Sequence, residues 1–165
     1  MNNRPPVAVH ERTTAEWVLD AVAITGAIGC VVVAAISYGS LPDTIPTHFG
    51  PTGEADRWGS KTTAWLIPAI AIGVNLLNIH LCSRPDRFNY LQKITPENAQ
   101  SEYARARLTI RWLNAFFACL FFVLTWEITH PGIGLLGHWL LPAVIGLPFI
   151  LLVLNFVPLF RKTSG

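Results

Sequence analysis

The chain has 165 residues, of which 52% are hydrophobic and 13% charged, with a formal net charge of +2. A charged share so far below the roughly 25% usual in soluble chains excludes an ordinary water-soluble domain. So small a net charge argues against a nucleic-acid partner.

Four apolar stretches set the class: 17–38, 63–82, 108–128 and 135–160. Each has about 20 residues or more, enough for a helix to cross a hydrocarbon layer of roughly 30 Å. Lipid offers the backbone no hydrogen-bond partner, so these segments are expected to be helices. Only Asp20, Arg111 and Glu127 interrupt them, each near an end, and no intramembrane charge pair is expected. The expectation is an all-α integral membrane four-helix bundle forming a single domain over 1–165, with helices at about 17–38, 63–82, 96–129 and 135–160.

The lead, 1–16, is polar and contains proline. The apolar run that follows is longer than the 7–15 residues of a secretory h-region, so it reads as an uncleaved anchor.

After the first helix comes a proline-rich loop, 39–62, with a dense pattern. Pro42, Pro46 and Pro51 restrict its backbone, and Gly50-Pro51-Thr52-Gly53 suits a turn with proline in second place. The loop is expected to present Asp43, His48, Glu54 and Asp56, with Phe49 and Trp58 able to pack on the membrane surface. Arg57 and Lys61 are expected to pair with Glu54 and Asp56. His48, Glu54 and Asp56 are weak candidate metal ligands, because their spacing matches no known metal motif. A reading without chemistry has His48 and Asp56 pinning the loop by hydrogen bonds. No cofactor is expected.

The second helix carries Asn75 and Asn78 one turn apart. With Asn114 and Asn155 of the third and fourth, they are the polar groups inside the spans, and such groups are costly in lipid. Asn78, Asn114 and Asn155 are expected at similar depth, where an interhelical hydrogen-bond cluster is worth about 1 kcal/mol per contact. His80 falls at the end of the second helix.

In the segment 83–107, Thr95-Pro96-Glu97 reads as a helix start, a capping hydroxyl followed by proline and an acid. Arg105, Arg107 and Arg111 are expected among lipid headgroups. Glu127 and His130 are expected to be wet at the far end. The fourth helix holds Pro142, Pro148 and Pro158, which bend it. Cys30, Cys82 and Cys119 show no metal or disulfide spacing and read as small packing residues.

Basic residues give orientation. Ten (Arg4, Arg12, Arg84, Arg87, Lys93, Arg105, Arg107, Arg111, Arg161, Lys162) fall on one side, and two (Arg57, Lys61) on the other. The positive-inside rule then puts both termini in the cytoplasm and the 39–62 loop outside. Trp17 and Trp112 at one interface, with Tyr38, Trp65, Trp126 and Trp139 at the other, agree with that placement.

From Leu41 to Lys61 the chain reads L-P-D-x-x-P-x-H-F-x-x-x-G-x-x-D-x-W-x-S-K. This string, just after a first membrane helix, resembles the signature of the SdpI-type immunity and signal-transducer proteins, in their N-terminal domain of unknown function, here in a shorter four-helix version. The resemblance implies a multi-pass protein of the bacterial inner membrane. It would act by protein contact through the outer loop in toxin immunity or envelope sensing, without catalysis. It gives Pro42, Asp43, Pro46, His48, Phe49, Gly53, Asp56, Trp58 and Lys61 as the loop motif. Its implied partners, besides the bilayer, are a secreted peptide toxin or a membrane or cytoplasmic regulatory protein. The alternatives are a small transporter or channel subunit, and a metal-dependent membrane enzyme.

Overall fold

The computed structural model describes residues 4–8, 10–131, 137, 142, 144–146, 148–150 and 153. Three helices among them are long and apolar enough to cross a membrane. They are α1 (Thr14–Ser37), α2 (Leu66–Ser83) and α3 (Ala99–Thr129). The expected fourth helix lies mostly outside the described residues, as do Asn155 and Trp139. Its described positions, 142, 144–146, 148–150 and 153, are helical.

The expectation of an all-α chain with a proline-rich loop between its first two helices is corrected. Between α1 and α2 the chain folds into an antiparallel hairpin of β1 (Thr44–Phe49) and β2 (Ala55–Ser60). The turn forms where expected: Gly53 N donates to Gly50 O at 2.9 Å, and Gly50 N to Glu54 O at 2.8 Å. Gly53 has φ +83°, and no non-glycine residue among the described ones has positive φ, so Pro51 and Thr52 keep negative φ and glycine supplies the left-handed exit of the turn. A Cβ on Gly53 would also lie 2.5 Å from the backbone nitrogen of Gly137.

Proline survives in β1 because of register. Lys61 N donates to Asp43 O at 3.0 Å, and Pro46 stands opposite Trp58 three pairs further on. Alternation of the ladder makes that a non-hydrogen-bonded pair, so the missing N–H of Pro46 faces away from β2. The hairpin is held to the bundle by apolar contact. Ile45, fully buried, packs with Leu41, Ala64 and Ile128 at the end of α3, with Tyr38, Phe49 and Ile67 around them.

In the bundle α1 lies closely on α3. Ala23, Ala27, Cys30 and Ala34 are buried along one face of α1. A Cβ on Gly26 would meet that of Ala118 at 3.0 Å, and one on Gly29 would meet the Phe122 ring at 2.8 Å. Small residues of this kind let helices approach where lipid provides no hydrophobic drive. The helix ends differ from expectation. α1 starts three residues early, because Thr13 and Glu16 form a reciprocal capping box. α3 starts at Ala99, not Pro96, because residues 96–98 form a turn in which Thr95 N donates to Asn98 Oδ1 at 2.9 Å.

The polar lead is not a loose tail. Arg4 donates to the carbonyls of Asp86 and Phe88, and its guanidinium lies 5.4 Å over the Tyr90 ring. Tyr103 Oη donates to Pro5 O at 3.0 Å, and the Gln100 amide bonds both Ala8 N and Pro6 O. The lead therefore straps across the start of α3. This strap and the hairpin sit at opposite ends of α1, and they name the two ends of the bundle.

Candidate functional site

At the hairpin end, the strand pairing brings His48 and Asp56 together from β1 and β2. His48 Nδ1 and Asp56 Oδ1 are 2.6 Å apart, with side chains about half exposed (56% and 50%). A carboxylate acceptor fixes the Nδ1–H form of a neutral ring and leaves Nε2 free. Trp58 is exposed beside them on β2, and Glu54 and Pro42 are exposed as well. Phe49 is half-buried and Pro46 buried, so these two belong to the anchorage of the hairpin rather than its outward face. The expected pairing of Lys61 with the loop acids 54 and 56 is corrected: Lys61 Nζ meets Asp43 Oδ1 at 3.1 Å. Strand register places 61 opposite 43, whereas Glu54 lies at the turn. Glu54 does not join His48 and Asp56, and among the described residues no three His, Cys, Asp or Glu side chains gather as metal ligands.

At the lead end lies a cluster that sequence reasoning missed. Arg111 of α3 is buried and reaches two acids of α1, with its Nη1 at 2.6 Å from Glu16 Oε1 and its Nε at 3.0 Å from Asp20 Oδ1. Glu16 also takes His10 Nε2 at 2.8 Å and Thr13 N at 2.9 Å, so one carboxylate closes the helix cap and holds the arginine. Arg12 completes the group, 3.2 Å from Asp20 Oδ2 and stacked 4.7 Å over the Trp17 ring. Two expectations are thereby corrected. Charge pairs do occur within the spans, and Arg111 lies inside the bundle rather than among headgroups. Arg107 is buried too, and its Nε donates to Cys82 O at 3.2 Å, satisfying a carbonyl of the last turn of α2.

A readable signal existed for the acids. Thr13-x-x-Glu16 has the capping-box form, and Asp20 follows Glu16 by four residues, on the same helical face. Arg107 and Arg111 share that spacing on α3. Which face meets which depends on helix packing and is not written locally.

Of the asparagines, Asn78 Nδ2 donates to Asn114 Oδ1 at 3.2 Å, joining α2 to α3. Asn75 is buried, and its Nδ2 has no hydrogen-bond partner among the described residues. Glu127 is buried rather than wet, because the α3 end is covered by the hairpin side of the bundle, and the His130 ring stacks 4.3 Å on Trp126.

The fold so defined is a helical chain compatible with a membrane protein, carrying a folded hairpin at one end. A family model described as "Domain of unknown function (DUF1648)" matches residues 25–72, the hairpin with the two half-helices that support it. An uncharacterized protein of Archaeoglobus fulgidus is 49% identical over 35 residues, a stretch covering 21% of this chain and 19% of that protein. The chain thus matches about a fifth of that relative's length. No solved structure matches.

Proposed function

We propose that this chain is a multi-pass protein of a bacterial inner membrane, with its lead end cytoplasmic, that recognises a protein or peptide outside the cell through its hairpin. The role is toxin immunity or envelope sensing, as the resemblance of Leu41–Lys61 to SdpI-type proteins implies. The observation that carries the reading is the construction of the hairpin. Ile45 and Phe49 anchor it to the bundle, while His48, Asp56 and Trp58 face out on a backbone stiffened by proline. A rigid surface element recognises with little ordering entropy, and an exposed Trp beside hydrogen-bonding groups is the composition of a contact hot spot. The segment matched by the domain of unknown function contains this element together with the parts of α1 and α2 that flank it, which supports treating the hairpin and its supports as the functional unit.

The test is a strain lacking the gene, exposed to the spent medium of the parent strain. Sensitivity is expected, cured by the unaltered chain but not by His48→Ala or Asp56→Ala at normal membrane abundance. If both variants lose abundance together with protection, the pair is a structural pin and the recognition reading is withdrawn.

Transport is the second reading, and the buried cluster of Arg111, Glu16 and Asp20 is the observation in its favour. Intramembrane ionisable groups mark ion paths. Here, however, each acid is held by an arginine and Glu16 also closes a helix cap, which is how a structural clasp is built. Ion flux into proteoliposomes that vanishes in Asp20→Asn would favour transport.

A further inference from the structure

Between α1 and α2 runs a cleft whose chemistry changes along its length. Its middle is a groove of about 340 Å³ lined by Ile24, Ile28, Val32, Ile72, Leu76 and Ile79. It continues towards the lead end, sharing Ile24, Asn75 and Ile79, into a second hollow of about 290 Å³ that adds Arg12, Trp17, Asp20 and Asn114. Both volumes are near the lower bound for ligand pockets. Asn75 stands at the junction of the two. It lies eight residues before the end of α2, hence about 12 Å up the helix axis. A buried amide at that depth normally has a partner, and this one has none among the described residues.

We propose that the cleft is a binding site for one phospholipid, with the phosphate on Arg12, the glycerol-linkage oxygens at Asn75 and an acyl chain in the groove. The order of groups along the cleft, cation, amide, hydrocarbon, is the order of groups along such a lipid. Arg12 suits the phosphate: it is the half-exposed arginine of the cluster and touches Asp20 through one nitrogen only. A cationic headgroup is disfavoured, because Asp20 is already shared by Arg12 and Arg111. The groove opens sideways between two helices whose outer faces are apolar, so a lipid enters from the bilayer without crossing water. This site is independent of the hairpin.

The experiment is native mass spectrometry of the purified full chain in detergent, with phosphatidylglycerol or dioleoylglycerol added at equal concentration. One phosphatidylglycerol per chain is expected, and dioleoylglycerol, which lacks the phosphate, should bind at least about tenfold more weakly, as should phosphatidylglycerol to Arg12→Gln. Ile28→Trp fills the groove and should abolish retention with helix content unchanged. If that variant misfolds, Val32→Phe serves the same purpose. Asn75→Leu separates a binding role from a packing role. It should raise the melting temperature of lipid-free protein, by removing an unsatisfied amide, while lowering lipid retention. Equal retention of the two lipids, retention unaffected by groove filling, or a dimer that buries the cleft would each overturn the proposal.

Discussion

Arg111 shows what one side chain does when it is buried among acids. Its guanidinium is matched on two sides by carboxylates, so the cluster is tolerable only while complete. Arg111→Leu removes the buried counter-charge, leaving Glu16 with only His10 and the Thr13 cap and Asp20 with only Arg12, and should destabilise the protein by about 3 kcal/mol. Adding Glu16→Gln and Asp20→Asn should return much of that loss, because neutral amides need no counter-charge. Thermal melting in detergent checks both, and a triple variant no better than Arg111→Leu would mean that the arginine acts through packing alone. Tyr90 offers a test at the strap. Burial and the neighbouring Tyr103 phenol push its pKa up to about 12 from an ordinary 10. The folded state thus holds the proton more tightly than the unfolded chain. The resulting stabilisation is complete below pH 10 and is lost as pH rises through about 12. Ultraviolet titration should show a late phenol component that Tyr90→Phe removes, and the strap should loosen over the same interval.

At the scale of elements, the helices were legible and the hairpin was not. Uninterrupted apolar runs leave lipid-spanning helix as the one way to satisfy the backbone, and α1, α2 and α3 fall within a few residues of expectation. The hairpin strands are short, polar and carry Pro46. They lack the regular alternation that marks a strand, and their register shifts around Thr47 break it further. Only the turn at Gly50–Gly53 was readable, because its glycine and proline have a local reason to be there. The ionic cluster was hidden for a different cause: Glu16 and Arg111, bonded at its centre, are 95 residues apart in sequence. Two variants probe the hairpin. Gly53→Ala forces a Cβ into a left-handed backbone and against Gly137, costing about 1–2 kcal/mol or more. Ile45→Ala removes the anchor and should cost about 2–5 kcal/mol. Limited proteolysis should cut both variants at the hairpin before the helices melt. Uniform loss of all three helices would show that the hairpin is no separable unit.

For the molecule as a whole, the two ends of α1 face different tasks, a polar strap at one and an outward hairpin at the other. In the orientation proposed from the basic residues, the strap is cytoplasmic and the hairpin outside. A cysteine at Thr52 should therefore react with an impermeant thiol reagent on intact cells, and one at Asn98 only after permeabilisation. The opposite labelling would invert the proposed orientation and put the hairpin inside the cell.

The clasp on Arg111 also dictates an order of biogenesis. Glu16 and Asp20 emerge from the ribosome with the first helix, whereas Arg111 follows 95 residues after Glu16. At about 5–20 residues per second, that is a delay of roughly 5–20 s. During it, His10 and Arg12, made just before the acids, are the nearest groups able to offset them. The newborn helix thus has His10 and Arg12 as its first partners, keeps them, and gains Arg111 beside them only when α3 arrives. Arrest of synthesis before residue 111 should leave a chain that is inserted yet open to proteolysis at its lead.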